Sequence, residues 1–178
     1  MGLFFIYAWA LLAKRLFLSV FPLREGEIAP GTQEEFGYQV YLLFNLVLFY
    51  PLTRSRFIPV PLLRLLYLGL GAKLGSNSYC AGTIQDPLLT IVGSNSLIGE
   101  DALLYSHAIE GDKLSHAVIQ LGDNVTVGAR AIIMSGVSMG NGSMLAANSV
   151  AIKNTAIGAG EIWAGAPAKR VGQVEEHA

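Results

Sequence analysis

Two of the three histidines in the chain lie in one stretch, SHAIEGDKLSH, at positions 106–116. The imidazoles of His107 and His116 titrate close to neutral pH, so either ring could remove a proton from a hydroxyl or an amine. Glu110 follows His107 by three residues and could orient its imidazole by accepting the other ring N–H. The alternative is a surface glutamate without a catalytic role. This stretch is the first candidate for acid–base chemistry.

A metal centre is the second kind of chemistry that histidines allow. Catalytic zinc sites commonly use about three protein ligands, and the only histidines are His107, His116 and His177. His177 follows VEE at the C-terminal end of the sequence, so we expect no three-histidine site and no metal. Cys80 is the single cysteine, which excludes an intrachain disulfide and a cysteine-rich zinc site. We expect it to pack as a small buried side chain rather than to act as a nucleophile.

The composition limits the classes of protein to consider. Hydrophobic residues make up 52% of the chain and charged residues 14%, which is unusually apolar for a soluble domain of 178 residues. The net charge of −1, without a dense basic stripe, excludes the electrostatic attraction that drives nucleic-acid binding. Lys14 and Arg15 follow the first apolar run instead of preceding it, so we expect no cleavable signal peptide. The apolar excess must therefore be covered by lipid or by protein.

Two apolar segments, at 1–23 and 38–52, hold much of this excess, and the connection between them is acidic. A bilayer span takes about 20 apolar residues. The first segment reaches that length and the second is short, so we expect a helical hairpin in or on a membrane over residues 1–56. The alternative is that both helices form a hydrophobic oligomer interface. Basic residues after the second segment predict that the rest of the chain lies on the cytoplasmic face of a bacterial-type inner membrane; they are Arg54, Arg56 and Arg64.

The remainder of the chain follows a six-residue repeat. Residues 57–73 predict a connecting helix that caps the repeats, because two prolines precede its apolar stretch and glycines end it. Apolar residues then recur every six positions, which is the period of neither a helix nor a strand. Before the histidine stretch they are Leu74, Cys80, Val92, Ile98 and Leu104, with Asp86 as the one polar member, and after it Leu121, Val127, Ile133, Met139, Leu145, Ala151, Ile157 and Trp163. Six residues per face and 18 per coil predict a triangular parallel β-helix over 74–168, followed by a C-terminal tail at 169–178.

The histidine stretch interrupts this repeat. Leu104 and Leu121 are 17 residues apart, one short of a full coil, so the second series is displaced by five positions. A loop over 107–118 must therefore leave the coil, and His107 lies where it starts. Loops whose ends are fixed by a rigid scaffold are frequent places for functional residues.

The repeats resemble those of the hexapeptide-repeat acyltransferases, whose left-handed parallel β-helix carries the signature [LIV]-[GA]-x-x-[small]-x. Within 74–168, VIQLGDNVTVGARAIIMSGVSMGNGSMLAANSVAIKN is similar to the central repeats of that family, and WAGAPAKRV is similar to its closing turn. HAIEGDKLSHAVIQLG has the length and outline of a loop found in a membrane-associated branch of the family.

The resemblance implies a function and assigns residues to it. His107 stands where the family has its catalytic base, acting on the acceptor in a direct transfer without a covalent acyl-enzyme. Thr126, Ala129 and Ala147 match positions along the groove that binds the pantetheine arm of acyl-CoA or acetyl-CoA. Lys153 and Lys169 match basic positions near its phosphates. His116 matches no required position and is expected to be a loop or wall residue.

The resemblance also implies partners. Family members form homotrimers with active sites between neighbouring β-helices, and a membrane-bound trimer would suit an acceptor that is a glycolipid or a lipid-linked glycan or peptide. Ile152 stands where threonine is common and Gly172 where arginine is frequent, departures that would suit another acyl length or donor. Two alternatives remain: a non-catalytic trimeric scaffold that organises membrane partners, and a soluble acetyltransferase whose apolar helices only build oligomer contacts.

Overall fold

The computed structural model describes residues 2–55 and 57–174 of the chain, without the side chains of residues 3 and 4. The repeats fold into short parallel strands that stack in three sheets, and each sheet is one face of a parallel β-helix. Strand residues on successive coils pair 18 positions apart, as Ser138 does with Gln120 and with Ala156. The predicted β-helix with an N-terminal apolar helical region is confirmed.

Within the described residues, the strands of the three faces number five, six and four. The first face contains β2 (Lys73–Leu74), β5 (Thr90–Val92), β10 (Ile119–Leu121), β13 (Ser138–Met139) and β16 (Ala156–Ile157). The second face contains β3 (Tyr79–Cys80), β6 (Leu97–Ile98), β11 (Thr126–Val127), β14 (Met144–Leu145), β17 (Glu161–Gly165) and β18 (Ala168–Gln173). The third face contains β4 (Thr83–Ile84), β7 (Leu103–Leu104), β12 (Ile132–Ile133) and β15 (Val150–Ala151).

Each hexad directs one apolar side chain into the core, which is why the sequence repeats every six residues. Cys80, Ile98, Val127 and Leu145 stack in this way inside the second face and are all buried. Many corners turn through left-handed backbone at asparagine, which tolerates positive φ better than most side chains do; the asparagines are Asn77, Asn95, Asn124, Asn148 and Asn154.

The N-terminal region is helical, and it packs against the β-helix. It contains α1 (Gly2–Val20), α2 (Gln33–Leu43), a π-helical segment (Phe44–Phe49), α3 (Tyr50–Arg54) and α4 (Val60–Leu70). Thr32 caps α2 by accepting a hydrogen bond from the Glu35 backbone N–H at 3.3 Å. In α4, the buried Tyr67 donates its hydroxyl proton to the Gly82 carbonyl at 3.0 Å, which fixes this helix on the first coil.

The second apolar segment is longer than the sequence pattern predicts. Within the described residues, one continuous helix, Gln33–Arg54, is long and apolar enough to cross a membrane by length and composition. The apolar run begins at residue 38, but the helix that contains it begins at Gln33, because Thr32 caps a polar first turn.

Eleven residues are inserted between the second and third coils. Leu121 pairs with Val92, which lies 29 residues earlier in the chain instead of the usual 18. The insertion is one full hexad plus five residues, so the six-residue repeat resumes five positions out of step. The insertion is a hairpin of β8 (His107–Glu110) and β9 (Lys113–His116) at the corner between the third and first faces. A short N-terminal strand, β1 (Gly26–Ile28), pairs antiparallel with β9 and makes it the middle strand of three.

The C-terminal end differs from the expected tail. Residues 168–173 form β18, which folds back antiparallel on β17 through a turn at Ala166 and Pro167 and closes the second face. Residues 169–173, which the sequence analysis assigned to the tail, are therefore part of a hairpin, and the segment WAGAPAKRV contains its turn.

Candidate active site

Asp86 does not occupy the inward repeat position that its spacing predicts. Ile84 fills the third-face position of the first coil and pairs in register with Leu104. Asp86 follows in the connection to the first face, where a 3-10 turn over Pro87–Leu89 lengthens the corner. The physical reason is that a carboxylate facing the apolar core would have no partner, whereas at the corner it meets hydrogen-bond donors.

One carboxylate oxygen of Asp86 holds the start of the inserted hairpin. Its Oδ2 accepts hydrogen bonds from the backbone N–H of Ser106 at 2.8 Å and of His107 at 3.2 Å. It also lies 2.7 Å from Nδ1 of the His107 ring. Only 1% of Asp86 is exposed, so this contact is shielded from bulk water. The backbone and the imidazole of His107 are thus fixed by the same buried group.

The contact sets both the tautomer and the basicity of His107. A neutral ring that donates Nδ1–H to a carboxylate keeps the lone pair on Nε2, where it can accept a proton. Burial alone would lower the pKa of His107, but the hydrogen bond to Asp86 and its negative charge outweigh burial and raise it. About 24% of the His107 side chain is exposed, so the ring is partly accessible to solvent. This arrangement could serve as a positioned general base.

Glu110 does not stand beside His107. Its Oε2 lies 2.7 Å from Nζ of Lys153, while Asp86 occupies the position at Nδ1 of His107. The cause is the extended conformation of the hairpin, in which side chains an odd number of residues apart point to opposite faces. The predicted Glu110–His107 pair is therefore corrected to an Asp86–His107 pair.

Aromatic rings surround the base on its other sides. The Tyr105 ring lies 5.7 Å from the His107 ring, and the Tyr38 ring, from α2, lies 6.2 Å from it. His116, predicted as a loop or wall residue, is buried, and its ring centroid is 4.8 Å from that of Tyr38. Helix α2 therefore contributes a wall of the site, which the sequence did not predict.

The N-terminal helices also contact the turn that carries Asp86. Lys14 is buried and donates from Nζ to Oδ1 of Asn45 at 2.8 Å. The Asn45 amide in turn donates to the Gln85 carbonyl at 3.4 Å, and the Tyr41 hydroxyl reaches the same oxygen at 3.5 Å. The backbone directly before Asp86 is thus tied to α1 and to the π-helical segment.

The predicted groove residues lie at another corner. Ala129 and Ala147 line one surface groove of about 220 Å³ between the second and third faces, together with Arg130 and Asn148. Thr126 lies on the second face beside this corner. The hairpin with His107 is at the opposite edge of the third face, so one chain does not bring the groove and the base together.

The two predicted basic residues also lie apart from that groove. Lys153, at the same corner as the hairpin, pairs with Glu110, and Lys169 lies on β18 opposite Ala164. Across residues 2–55 and 57–174, no group of three or more His, Cys, Asp or Glu side chains is arranged to hold a metal ion. His177 lies outside the described residues.

Sequence comparisons match the coils. The family model for the bacterial transferase hexapeptide (six repeats) matches residues 119–153. The chain is 36% identical over 84 residues to 2,3,4,5-tetrahydropyridine-2,6-dicarboxylate N-acetyltransferase of Staphylococcus aureus, which is 47% of this chain and 33% of that protein. It is 33% identical over 82 residues to gamma carbonic anhydrase 2 of Arabidopsis thaliana mitochondria, which is 46% of this chain and 25% of that protein. The chain therefore spans a third or less of these curated relatives.

Solved structures share the fold over more of the chain. Galactoside acetyltransferase in complex with coenzyme A covers 85% of this chain and 88% of its own, with a TM-score of 0.63 and 18% identity. A hexapeptide-repeat acetyltransferase from Vibrio cholerae, complexed with acetyl-coenzyme A, covers 61% of this chain and 63% of its own, with a TM-score of 0.55 and 22% identity. The coils are those of a left-handed parallel β-helix, as predicted.

Proposed function

We propose that this chain, a hexapeptide-repeat protein built on a left-handed parallel β-helix, transfers an acyl group from acetyl- or acyl-coenzyme A to a hydroxyl or amine at a membrane surface. The observation that carries the proposal is the buried Asp86 carboxylate 2.7 Å from Nδ1 of His107, which leaves Nε2 of a partly exposed ring as the base. The acetyltransferases among the relatives and structural neighbours support the donor.

His107 carries the proton in this reaction. Its Nε2 takes the proton of the acceptor O–H or N–H as that atom attacks the thioester carbonyl, and the Asp86 carboxylate stabilises the imidazolium. The tetrahedral intermediate expels the coenzyme A thiolate, which receives the proton back from Nε2. No side chain is acylated. Cys80 is unsuited to that role, because burial raises the pKa of its thiol to about 12.

The active form is proposed to be a homotrimer. His107 and the groove at Ala129 and Ala147 flank the third face from opposite edges, so two adjacent β-helices can bring the groove of one to the hairpin of the other. The pantetheine arm would lie along this groove and contact Thr126. Lys153 and Lys169 would meet the phosphates, and Lys153 would have to exchange its pairing with Glu110 for that contact.

The membrane is proposed to cover one side of α1. Its outer face carries an exposed apolar stripe at helical spacing, formed by Ile6, Trp9, Leu12, Leu16 and Val20. Its inner face, through Tyr7, Ala10 and Leu11, packs against the hydrophobic cluster that the later helices share with the β-helix; the Tyr7 ring, for example, lies 6.0 Å from that of Phe49. A helix with one side on protein and the other exposed and apolar fits the interface of a bilayer. The protein would then lie on the cytoplasmic face of a bacterial-type inner membrane, where a glycolipid or a lipid-linked glycan or peptide is the expected acceptor.

An acceptor comparison tests the catalytic part. The full chain in lipid nanodiscs, with acetyl-coenzyme A, is given methyl β-D-galactoside or octyl β-D-galactoside, and both thiol release and the acetylated product are measured. We expect transfer to the octyl compound and none by H107A. A folded wild-type protein that acetylates neither compound, together with unchanged biological activity of H107A in cells, would overturn the enzyme proposal in favour of the scaffold.

A flotation assay tests the membrane part. We expect L12E, which places a charge in the exposed stripe, to reduce co-flotation with vesicles of phosphatidylethanolamine and phosphatidylglycerol several-fold. V171E is the control, because Val171 is an exposed apolar residue, 63% against 47% for Leu12, that lies on β18 at the far end of the β-helix. A wild-type protein that stays soluble without detergent and does not float would contradict the membrane assignment.

A further inference from the structure

The hairpin that carries His107 is anchored by the N-terminal segment. Three residue pairs join β1 to β9, from Gly26–His116 to Ile28–Leu114. Beside them, Oε1 of Glu25 accepts a hydrogen bond from the Val118 backbone N–H at 2.7 Å. The outer edge of the hairpin is therefore covered by a segment that precedes it by about 90 residues in the sequence, and the hairpin is part of a sheet instead of a free loop.

His116 lies directly across this hairpin from His107. The neighbouring pair is hydrogen-bonded, since the Ala117 N–H donates to the Ser106 carbonyl at 3.0 Å. In an antiparallel ladder, hydrogen-bonded residue pairs alternate with pairs that lack backbone hydrogen bonds and lie closer together. His107 and His116 form a pair of the second kind, so their side chains lie next to each other on the same face. The second imidazole is thus an immediate neighbour of the base.

The surroundings of His116 are unusual for a histidine. Only 2% of it is exposed, and neither ring nitrogen has a hydrogen-bond partner among the described residues. Its closest aromatic neighbour is Tyr38, whose ring meets it edge-on with 61° between the planes. Tyr38 is itself 5% exposed, and its ring also faces His107. The two rings form a packed aromatic wall on the side of His107 away from solvent.

We propose that Tyr38 and His116 are positioning residues for His107: their packed rings restrict the imidazole so that its Nδ1–H stays on Asp86 and its Nε2 faces the acceptor. This inference rests on the proposed function, and it deepens it. Asp86 contacts the imidazole at one atom, Nδ1, and a single hydrogen bond does not fix the orientation of the rest of the ring. The aromatic wall removes that freedom. Because Tyr38 belongs to α2, the apolar N-terminal region completes the active site as well as contacting the membrane.

The titratable groups around His107 allow a distinctive measurement. Asp86 and His116 face it within the β-helix and hairpin, Tyr38 faces it from α2 and Tyr105 from the corner, and Lys14 on α1 acts on Asp86. The bond to Asp86 raises the pKa of His107, and burial lowers it. An imidazole that leaves Asp86 for solvent loses both influences, so its pKa falls from the raised value towards that of an ordinary histidine. Loss of packing elsewhere in the protein has no such effect.

The test compares ring-conserving with ring-removing variants of the full chain in nanodiscs. NMR of 13C-labelled histidine gives the pKa of His107, and turnover of acetyl-coenzyme A with octyl β-D-galactoside gives kcat and KM. Y38F and H116F keep the wall and should stay within about threefold of wild type. Y38A and H116A should lower kcat by about 10–100-fold, leave KM for acetyl-coenzyme A unchanged and lower the pKa of His107. Y79A, which removes a half-buried tyrosine from the second face, is the control.

The outcomes separate this inference from the proposed function. A folded Y38A or H116A protein with the wild-type pKa at His107 would overturn the inference, as would an inactive H116F, because the ring nitrogen and not the packing would then matter. Y38L replaces Y38A if the smaller residue prevents folding. Should the wild type transfer no acyl group while Y38A still lowers the pKa of His107, the positioning contact stands and the proposed activity fails.

Discussion

Asp86→Asn is the substitution that most directly tests how the site works. The amide has almost the same shape as the carboxylate, so its oxygen can still accept hydrogen bonds from Ser106 and His107, and the corner should keep its backbone path. What changes is the charge on an oxygen that accepts three hydrogen bonds at 2.7, 2.8 and 3.2 Å. The variant therefore separates electrostatic support of the imidazolium from the shape of the turn.

The contacts at this oxygen give the expected magnitude. A hydrogen bond to a charged group contributes about 1.5–3 kcal/mol and a neutral one about 0.5–1.5 kcal/mol. Three such bonds are weakened, and the buried charge is removed, so we expect the free energy of unfolding to fall by about 1–3 kcal/mol. General-base catalysis contributes roughly 10²–10⁴ in rate. We expect D86N to lose most of that in kcat, with KM for acetyl-coenzyme A unchanged.

The pH dependence of activity tests the role of Asp86 in a way that a stability measurement cannot. His107 must be unprotonated to act, and Asp86 raises its pKa, so activity in the wild type is lost on the acidic side as pH falls through that raised value. In D86N the pKa of His107 falls, and the acidic limb of kcat/KM moves to lower pH. The assay is thiol release with octyl β-D-galactoside from about pH 5 to 9, which spans both sides of an ordinary histidine pKa.

A second aspartate provides the control. Asp123, which is exposed, accepts a hydrogen bond from the Ser94 backbone N–H at 2.6 Å at a different corner of the β-helix, so D123N weakens a similar bond away from the hairpin. It should change stability without moving the acidic limb. A folded D86N enzyme with kcat within threefold of wild type and an unmoved limb would refute the assignment of Asp86 as the partner of His107.

Three further predictions follow from the same contacts. A147W fills the groove at the far corner and should raise KM for acetyl-coenzyme A more than tenfold while the pKa of His107, read by NMR, stays the same; an unchanged KM would remove the groove from the donor site. E110Q should change kcat less than threefold, because Glu110 pairs with Lys153 at 2.7 Å and not with the base, and a loss of 100-fold would restore its predicted orienting role. Burial lowers the pKa of Lys14 to about 7, against the opposing charge of Asp86. Between pH 7 and 10 the Lys14 amine is therefore neutral in the folded chain but still protonated in the unfolded chain, whose lysine pKa is near 10. Raising the pH then favours the folded chain, so the thermal midpoint of the wild type should rise over this range relative to that of K14M. Parallel curves for the two proteins would contradict a buried amine.

The regular part of the fold could be predicted from the sequence because its rule is local. Each coil needs one inward side chain per six residues, and Val127, Ile133 and Met139 obey that rule without reference to anything distant. Asp86 breaks the same rule, and a polar residue in an apolar series was the available signal for a functional corner. Its partner could not be read from the spacing, since the extra residues at the Pro87–Leu89 turn alter which side chains face outward.

The composition of the site beyond His107 depends on contacts that no sequence period contains. Glu110 was a reasonable partner by proximity, but the alternation of side chains along β8 carries it to the other face. Tyr38 is almost 70 residues from His107 and belongs to a segment whose apolar character indicated a membrane or an oligomer interface, not an active site. Its place beside the two imidazoles follows from the pairing of β1 with β9. Strand β1 has only three residues, which is too short a pattern to predict that pairing from the sequence.

That pairing also sets an order of events during synthesis. Glu25 meets Val118 across 93 residues, so the strand that covers the hairpin leaves the ribosome long before the hairpin exists. Until then α1 has only the helices that follow it as partners, through contacts such as Tyr7–Phe49 and Lys14–Asn45, and its exposed apolar stripe is uncovered, which makes the segment prone to aggregate. A bilayer that receives α1 early would hold it apart from other chains while the coils wind behind it. The active site can then close once residues 25–118 have emerged, before the coils that follow are complete, so that its closure joins the N-terminal segment to the coils at an early stage of the fold.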